Sequence, residues 1–221
     1  MTKHDEQVGM RPRINKLFLL YGLTVFLFPL LVPSLTRGAP IKNPSPVLRS
    51  GDLFPKTSFP NLFTSEEKKY LGIGVKKTFS TDEIQSDLVI IKFLNTNCTY
   101  CIRLLPTFKE IYRLVEDDQS LKAKIRMIGI GAGDTLMELK ELKKNHPVPY
   151  PVVADTDFKA HKAVGEPRVP FIVVARKDIQ NQWVVATVNV GLIFSAEHFV
   201  GELKAILHID PETLKLKNSS R

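Results

Sequence analysis

The chain has 221 residues, 43% of them hydrophobic, and 31 Lys and Arg against 23 Asp and Glu give it a formal charge of +8. That length holds one well-packed domain plus appendages, and two cysteines exclude a disulfide-stapled scaffold, so apolar burial must supply the core. Residues 1–37 carry five basic and two acidic groups, leaving +5 for the rest, where Glu66-Glu67-Lys68-Lys69 and Lys140-Glu141-Leu142-Lys143-Lys144 interleave both signs. Such runs read as solvated faces and exclude a nucleic-acid footprint.

Residues 17–35 are almost wholly apolar and follow Arg11, Arg13 and Lys16, the pattern of an export segment with a cytosolic positive flank. Pro29 and Pro33 break it near its end, and a cleaved signal peptide and an uncleaved anchor both remain open for residues 1–38. The domain beyond therefore faces an extracytoplasmic space, secreted or held at the inner membrane by residues 17–35, where disulfide chemistry is routine.

Residues 39–50 are polar and Pro-rich, a linker, and the domain spans 51–208. Residues 51–62 read as an extended lead-in, Tyr70-Leu71-Gly72-Ile73 as a short strand, and Ser80-Thr81-Asp82-Glu83 as a helix-capping signature. A buried strand is predicted at 87–94 and a helix at about 99–117, with Ile102, Leu105, Phe108, Ile111, Tyr112 and Val115 on one face. A second strand follows at 124–131, then a helix at 135–145 that Asp134 can cap, a short strand at 152–154 and helical turns at 157–164. Residues 170–176 and 183–190 form a hairpin, 195–207 a last helix, and 209–221 a polar tail. The order predicts an α/β sandwich with a mixed central sheet.

Cys98-Thr99-Tyr100-Cys101 lies between the predicted strand and helix, where unpaired backbone N–H groups and the helix dipole favour an anion. A thiolate is stabilised there, and two cysteines at that spacing can close a disulfide, so the pair reads as a dithiol–disulfide exchanger. Gly129-Ile130-Gly131-Ala132-Gly133 lacks a nucleotide-binding fingerprint and reads as a turn, and His161 reads as a half-exposed helix residue.

Together these features resemble the thioredoxin superfamily, in particular its exported TlpA-like and redoxin (AhpC/TSA-related) branch, over residues 51–208. Four features carry the resemblance: Gly51-Asp52 with Pro55; the Cys-x-x-Cys after a buried strand with Pro106 five residues on; Tyr150-Pro151-Val152-Val153-Ala154-Asp155 followed by Lys162-Ala163-Val164-Gly165; and Arg168-Val169-Pro170 before a strand. The resemblance implies a thioredoxin-like three-layer sandwich and a thiol–disulfide oxidoreductase with no cofactor beyond the Cys98–Cys101 disulfide and no metal. It implies Cys98 as nucleophile, Cys101 as resolving thiol, and a cis Pro170 that holds the Val169 backbone for a substrate strand beside Cys98; Tyr100 would tune substrate access.

The chain departs from the family at three places: Asn97 stands where Trp is common, and Lys92 and Leu104 stand where carboxylates usually take the resolving thiol's proton. Glu166 or another acid could substitute, and Lys92 could either tune the thiols or snorkel to the surface. The partners implied are protein thiol or disulfide substrates and an upstream membrane electron donor, with the chain a monomer that touches membrane only through its N-terminal segment. Two other functions compete. A peroxiredoxin-like thiol peroxidase is disfavoured because the Pro-x-x-x-Thr-x-x-Cys loop is missing, and a thiolate copper chaperone because its relatives space the cysteines by three.

Overall fold

The computed structural model describes residues 46–215, so the export segment and the end of the tail lie outside the described residues. No described helix is long and apolar enough to cross a membrane. A central five-stranded sheet is built from β3 (Leu88–Leu94), β4 (Ile125–Ala132), β5 (Val152–Asp155), β6 (Phe171–Lys177) and β7 (Trp183–Val190), in the order β5-β4-β3-β6-β7. β3 pairs parallel with β4 and antiparallel with β6, which makes the sheet mixed. A two-stranded antiparallel ribbon, β1 (Ser58–Pro60) with β2 (Thr78–Ser80), stands apart from it.

Every residue of β3 is buried, as expected for a central strand covered on both faces. Leu88, Ile90 and Leu94 face one core, shared with α3 (Leu105–Asp117), α5 (Leu136–Asn145) and α7 (Ala196–Leu207). Val89, Ile91 and Phe93 face the other, closed by the β1–β2 ribbon, by α1 (Ser65–Leu71) and by α6 (Lys159–Ala163). Phe79 sits at the centre of this second core, its ring 5.7 Å from Phe59 and 5.2 Å from Phe63. Phe79→Ala is expected to cost about 3–5 kcal/mol, read as a fall in the urea midpoint, because the ribbon has no other aromatic anchor on that strand.

Several local expectations change. Residues 70–73 are not a strand: Thr64 and Glu67 form a reciprocal capping box that starts α1, and Gly72, at φ 66°, ends it. The helix after the cysteines is two, α2 (Thr99–Arg103) and α3, because Pro106 has no N–H to return to the turn before it. A further short helix, α4 (Gln119–Lys122), is capped by Asp118. Ser80–Glu83 does contain a capping box, but it starts only a single 3-10 turn, Thr81–Glu83. Leu48, in the stretch read as linker, is buried, and its N–H donates to Val164 O at 3.1 Å. Part of the tail, Pro211–Lys215, also forms a 3-10 turn.

Candidate active site

The parallel strands β3, β4 and β5 point their C-terminal ends the same way, and the cysteines follow the end of β3. Cys98 is the N-cap of α2 in extended conformation, which turns its sulfur back over the helix start. The Cys101 N–H donates to Cys98 Sγ at 3.3 Å, and Cys98 Sγ lies 3.6 Å from Val169 O, to which the thiol donates. The Val169–Pro170 peptide is cis. Because α2 has only five residues, what its start offers Cys98 is this single aimed amide rather than a long helix dipole.

The two thiols are free and unequal. Cys98 is partly exposed, whereas Cys101 is 1% exposed and packs into the core with Leu94, Leu104 and Phe108. Burial, and then its hydrogen bond with Cys98, push the Cys101 thiol well above its ordinary pKa.

Lys92 does not reach the surface. As an even-numbered residue of β3 it shares a face with Ile90 and Leu94, directly beneath the helix that carries the cysteines. It is wholly buried, its Nζ 4.6 Å from the centre of the Phe108 ring and 3.5 Å from Cys101 O. Desolvation pulls its pKa down to about 8, opposed by the charges of Cys101 and Cys98. A cation thus stands behind the pair, at the place where a carboxylate was expected.

Glu166 is exposed, on a left-handed backbone at φ 53°, and the charges acting on Cys101 are those of Cys98 and Lys92. The Glu166 backbone N–H donates to His161 O at 3.0 Å. Tyr100 is 57% exposed on the first turn after Cys98, with Arg103 against its ring. His161 is held in the fold, its Nε2 2.8 Å from Pro167 O. Among the described residues no group of three or more His, Cys, Asp and Glu converges on a common point.

One member of the site was misread in the sequence. Thr135, not Asp134, caps α5, and Asp134 instead turns its carboxylate onto Asn95 and Thr96, the residues just before the cysteines. The glycines around it were the available signal, since they leave room for a side chain folded back over the end of β4.

A mixed sheet with a dithiol at the end of its central strand and a cis-proline beside it defines a thioredoxin-like oxidoreductase. The AhpC/TSA family model matches residues 56–185, more than half of the chain, and the chain belongs to that family. Among solved structures, a protein named as a thiol:disulfide interchange protein DsbE from Chlorobium tepidum superposes with a TM-score of 0.54 at 13% identity, over 73% of this chain and 99% of that one. AhpC of Mycobacterium tuberculosis superposes at 0.54 and 16% identity, over 74% and 95%. The thioredoxin domain of a thiol-disulfide oxidoreductase from Bacteroides vulgatus gives 0.53 at 12% identity, over 71% and 98%. At such identities these likenesses bear on the fold. No curated protein matches the sequence significantly.

Proposed function

We propose that the chain is an exported thiol–disulfide oxidoreductase that exchanges disulfides with protein substrates through Cys98 and Cys101. The observation that carries this is the asymmetry of the pair: a partly exposed sulfur at a helix cap, a buried sulfur one turn on, and a buried lysine behind both. Cys98, as thiolate, attacks one sulfur of a substrate disulfide; the S–S bond breaks, a mixed disulfide forms, and the departing thiolate takes a proton from solvent. Cys98 is then neutral, and Lys92 loses one of the charges that held its proton. Lys92 releases that proton to solvent, and the free amine then accepts the proton of Cys101. This leaves, beside a thiolate, an ammonium that can later protonate the second departing substrate sulfur. Cys101 then attacks Cys98 Sγ, the mixed disulfide opens, and the substrate leaves as a dithiol. Run in reverse, the same steps oxidise a dithiol.

Pro170 and Val169 would present backbone to a substrate strand beside Cys98, and Tyr100 would border its path. In the reducing direction the activity would serve cytochrome c or other metalloprotein maturation, fed by an upstream membrane donor on the extracytoplasmic side. The names of the Chlorobium and Bacteroides proteins agree with exchange as the chemistry.

A second reading, a thiol peroxidase, draws on the family match and on the likeness to AhpC. Against it, Phe93-Leu94-Asn95-Thr96-Asn97-Cys98 holds neither the proline nor the threonine of the peroxidatic loop in register. The two separate in one assay. The reduced protein is expected to precipitate insulin through disulfide reduction, and Cys101→Ser to accumulate a mixed disulfide that a reductant releases, seen by mass. Rapid peroxide consumption with no insulin reduction would replace exchange with the peroxidase reading.

A further inference from the structure

The glycine run that ends β4 makes room for a carboxylate. A Cβ on Gly131 would stand 2.8 Å from Asp134 Oδ2, and Gly133, at φ 78°, lies under the ring of Phe158. In that space Asp134 is 1% exposed and receives several donors from one short loop. Asn95 Nδ2 reaches it at 3.1 Å, the Thr96 N–H lies 3.1 Å from each oxygen, and the Thr96 hydroxyl donates at 2.8 Å. The Asp134 carbonyl also accepts from the Thr156 hydroxyl at 3.1 Å, which ties in the end of β5.

The loop so held touches the first cysteine. Asn95 O accepts from the Cys98 N–H at 3.0 Å, so one residue lies between the carboxylate and Cys98. At Cys101 burial raises the thiol's pKa and the Asn95 backbone works against it.

We infer that Asp134 is a positioning residue for the dithiol: its ionised carboxylate clamps Asn95 and Thr96 so that the Asn95 carbonyl holds the Cys98 N–H and fixes the turn that starts the cysteine-bearing helix. This rests on the exchange reading of the pair. The clamp needs the ionised form, because a protonated carboxyl would bring one more donor to oxygens already facing three. Burial raises the pKa of Asp134 and the bonds from Thr96 lower it, with burial the larger cause. With the folded pKa above the unfolded one, ionising Asp134 subtracts from stability as pH rises past the ordinary carboxylate range. A group kept charged at a cost to the fold is consistent with a role in the site.

The test uses the full chain with Asp134→Asn and, as a milder change, Thr96→Val. The readouts are the rate of iodoacetamide alkylation of Cys98 at pH 7 and the midpoint potential against glutathione, with the urea midpoint as a control. Asp134→Asn is expected to slow alkylation roughly tenfold, the worth of one hydrogen bond to a charged group. The potential is expected to move toward more reducing values by about 30 mV for each tenfold loss of thiolate stabilisation. Thr96→Val keeps the backbone bond and loses the hydroxyl, so the same signs are expected at roughly threefold. Removing a buried negative charge, if that were its whole effect, would speed alkylation instead. A lowered urea midpoint with both site readouts unchanged would make Asp134 merely structural, and either of these results overturns the clamp. Should Asp134→Asn fail to fold, an unchanged Thr96→Val overturns it as well. A wild-type pair that does not exchange with glutathione sinks the exchange reading, whereas exchange that the variants leave untouched sinks only the clamp.

Discussion

Cys98→Ser is expected to reduce insulin disulfides at no more than the uncatalysed rate, while its fold and urea midpoint stay near wild type. Serine keeps the N-cap role, since its hydroxyl can accept from the Cys101 N–H that now meets the sulfur. It cannot act as a thiolate, and no third cysteine exists to replace it. Cys101 cannot take over, because its sulfur is buried beneath α2 and burial holds its proton. Insulin reduction that survived this change would show that the chemistry does not start at Cys98.

Lys92→Met is expected to move stability and activity in opposite directions. The folded pKa of Lys92, about 8, lies below the 10.5 of an exposed lysine, so the folded chain binds fewer protons between those values. Stability therefore gains from this group as pH rises through that window, and the cost of burying the ammonium is fully present below pH 8. At pH 7 methionine, of similar length and without charge, is expected to stabilise the chain by about 2–3 kcal/mol. The advantage is expected to shrink above pH 8 and vanish by about pH 10.5, measured as the difference in urea unfolding between the two proteins. Cys101 contributes with the opposite sign, its raised pKa lowering stability in alkaline solution, and loss of the Lys92 charge raises that pKa further. On the proposed mechanism the same change removes the acceptor of the resolving thiol's proton, so mixed disulfides are expected to persist and turnover to fall. A variant that is both less stable and fully active would reduce Lys92 to a packing residue.

Much of the frame was legible because its periodicities were strong. The central strand, the hairpin of β6 and β7 and the helices α5 and α7 lie within a residue or two of their predicted ends, since each buries a face at spacing two or at three to four. The dithiol at the end of a buried strand could be read for the same reason. The orientation of Lys92 was implicit in strand parity, but a lysine's long stem allows it to leave a core by snorkelling, so only packing decides. Asp134 could not be placed from its neighbours. Its position before a helix allows it to serve as a cap, and Thr135 with Glu138 forms the better, reciprocal box. That releases the carboxylate for a loop 38 positions away in sequence, a contact that no local pattern encodes. Likewise α1 was hidden because Tyr70 and Leu71 suit a strand, while the deciding capping box lies upstream at Thr64 and Glu67.

The midpoint potential of the Cys98–Cys101 couple, from equilibration with glutathione and mass counting of alkylated thiols, tests the redox role of the pair most directly. Burial raises the Cys101 pKa and the charge of Lys92 works against it, while the Cys101 N–H aimed at Cys98 Sγ favours a charged sulfur there and hence the reduced form. A single two-electron couple, more oxidising than about −270 mV, is therefore expected. A potential below about −300 mV, the range of structural disulfides, or a pair that never closes, would contradict it.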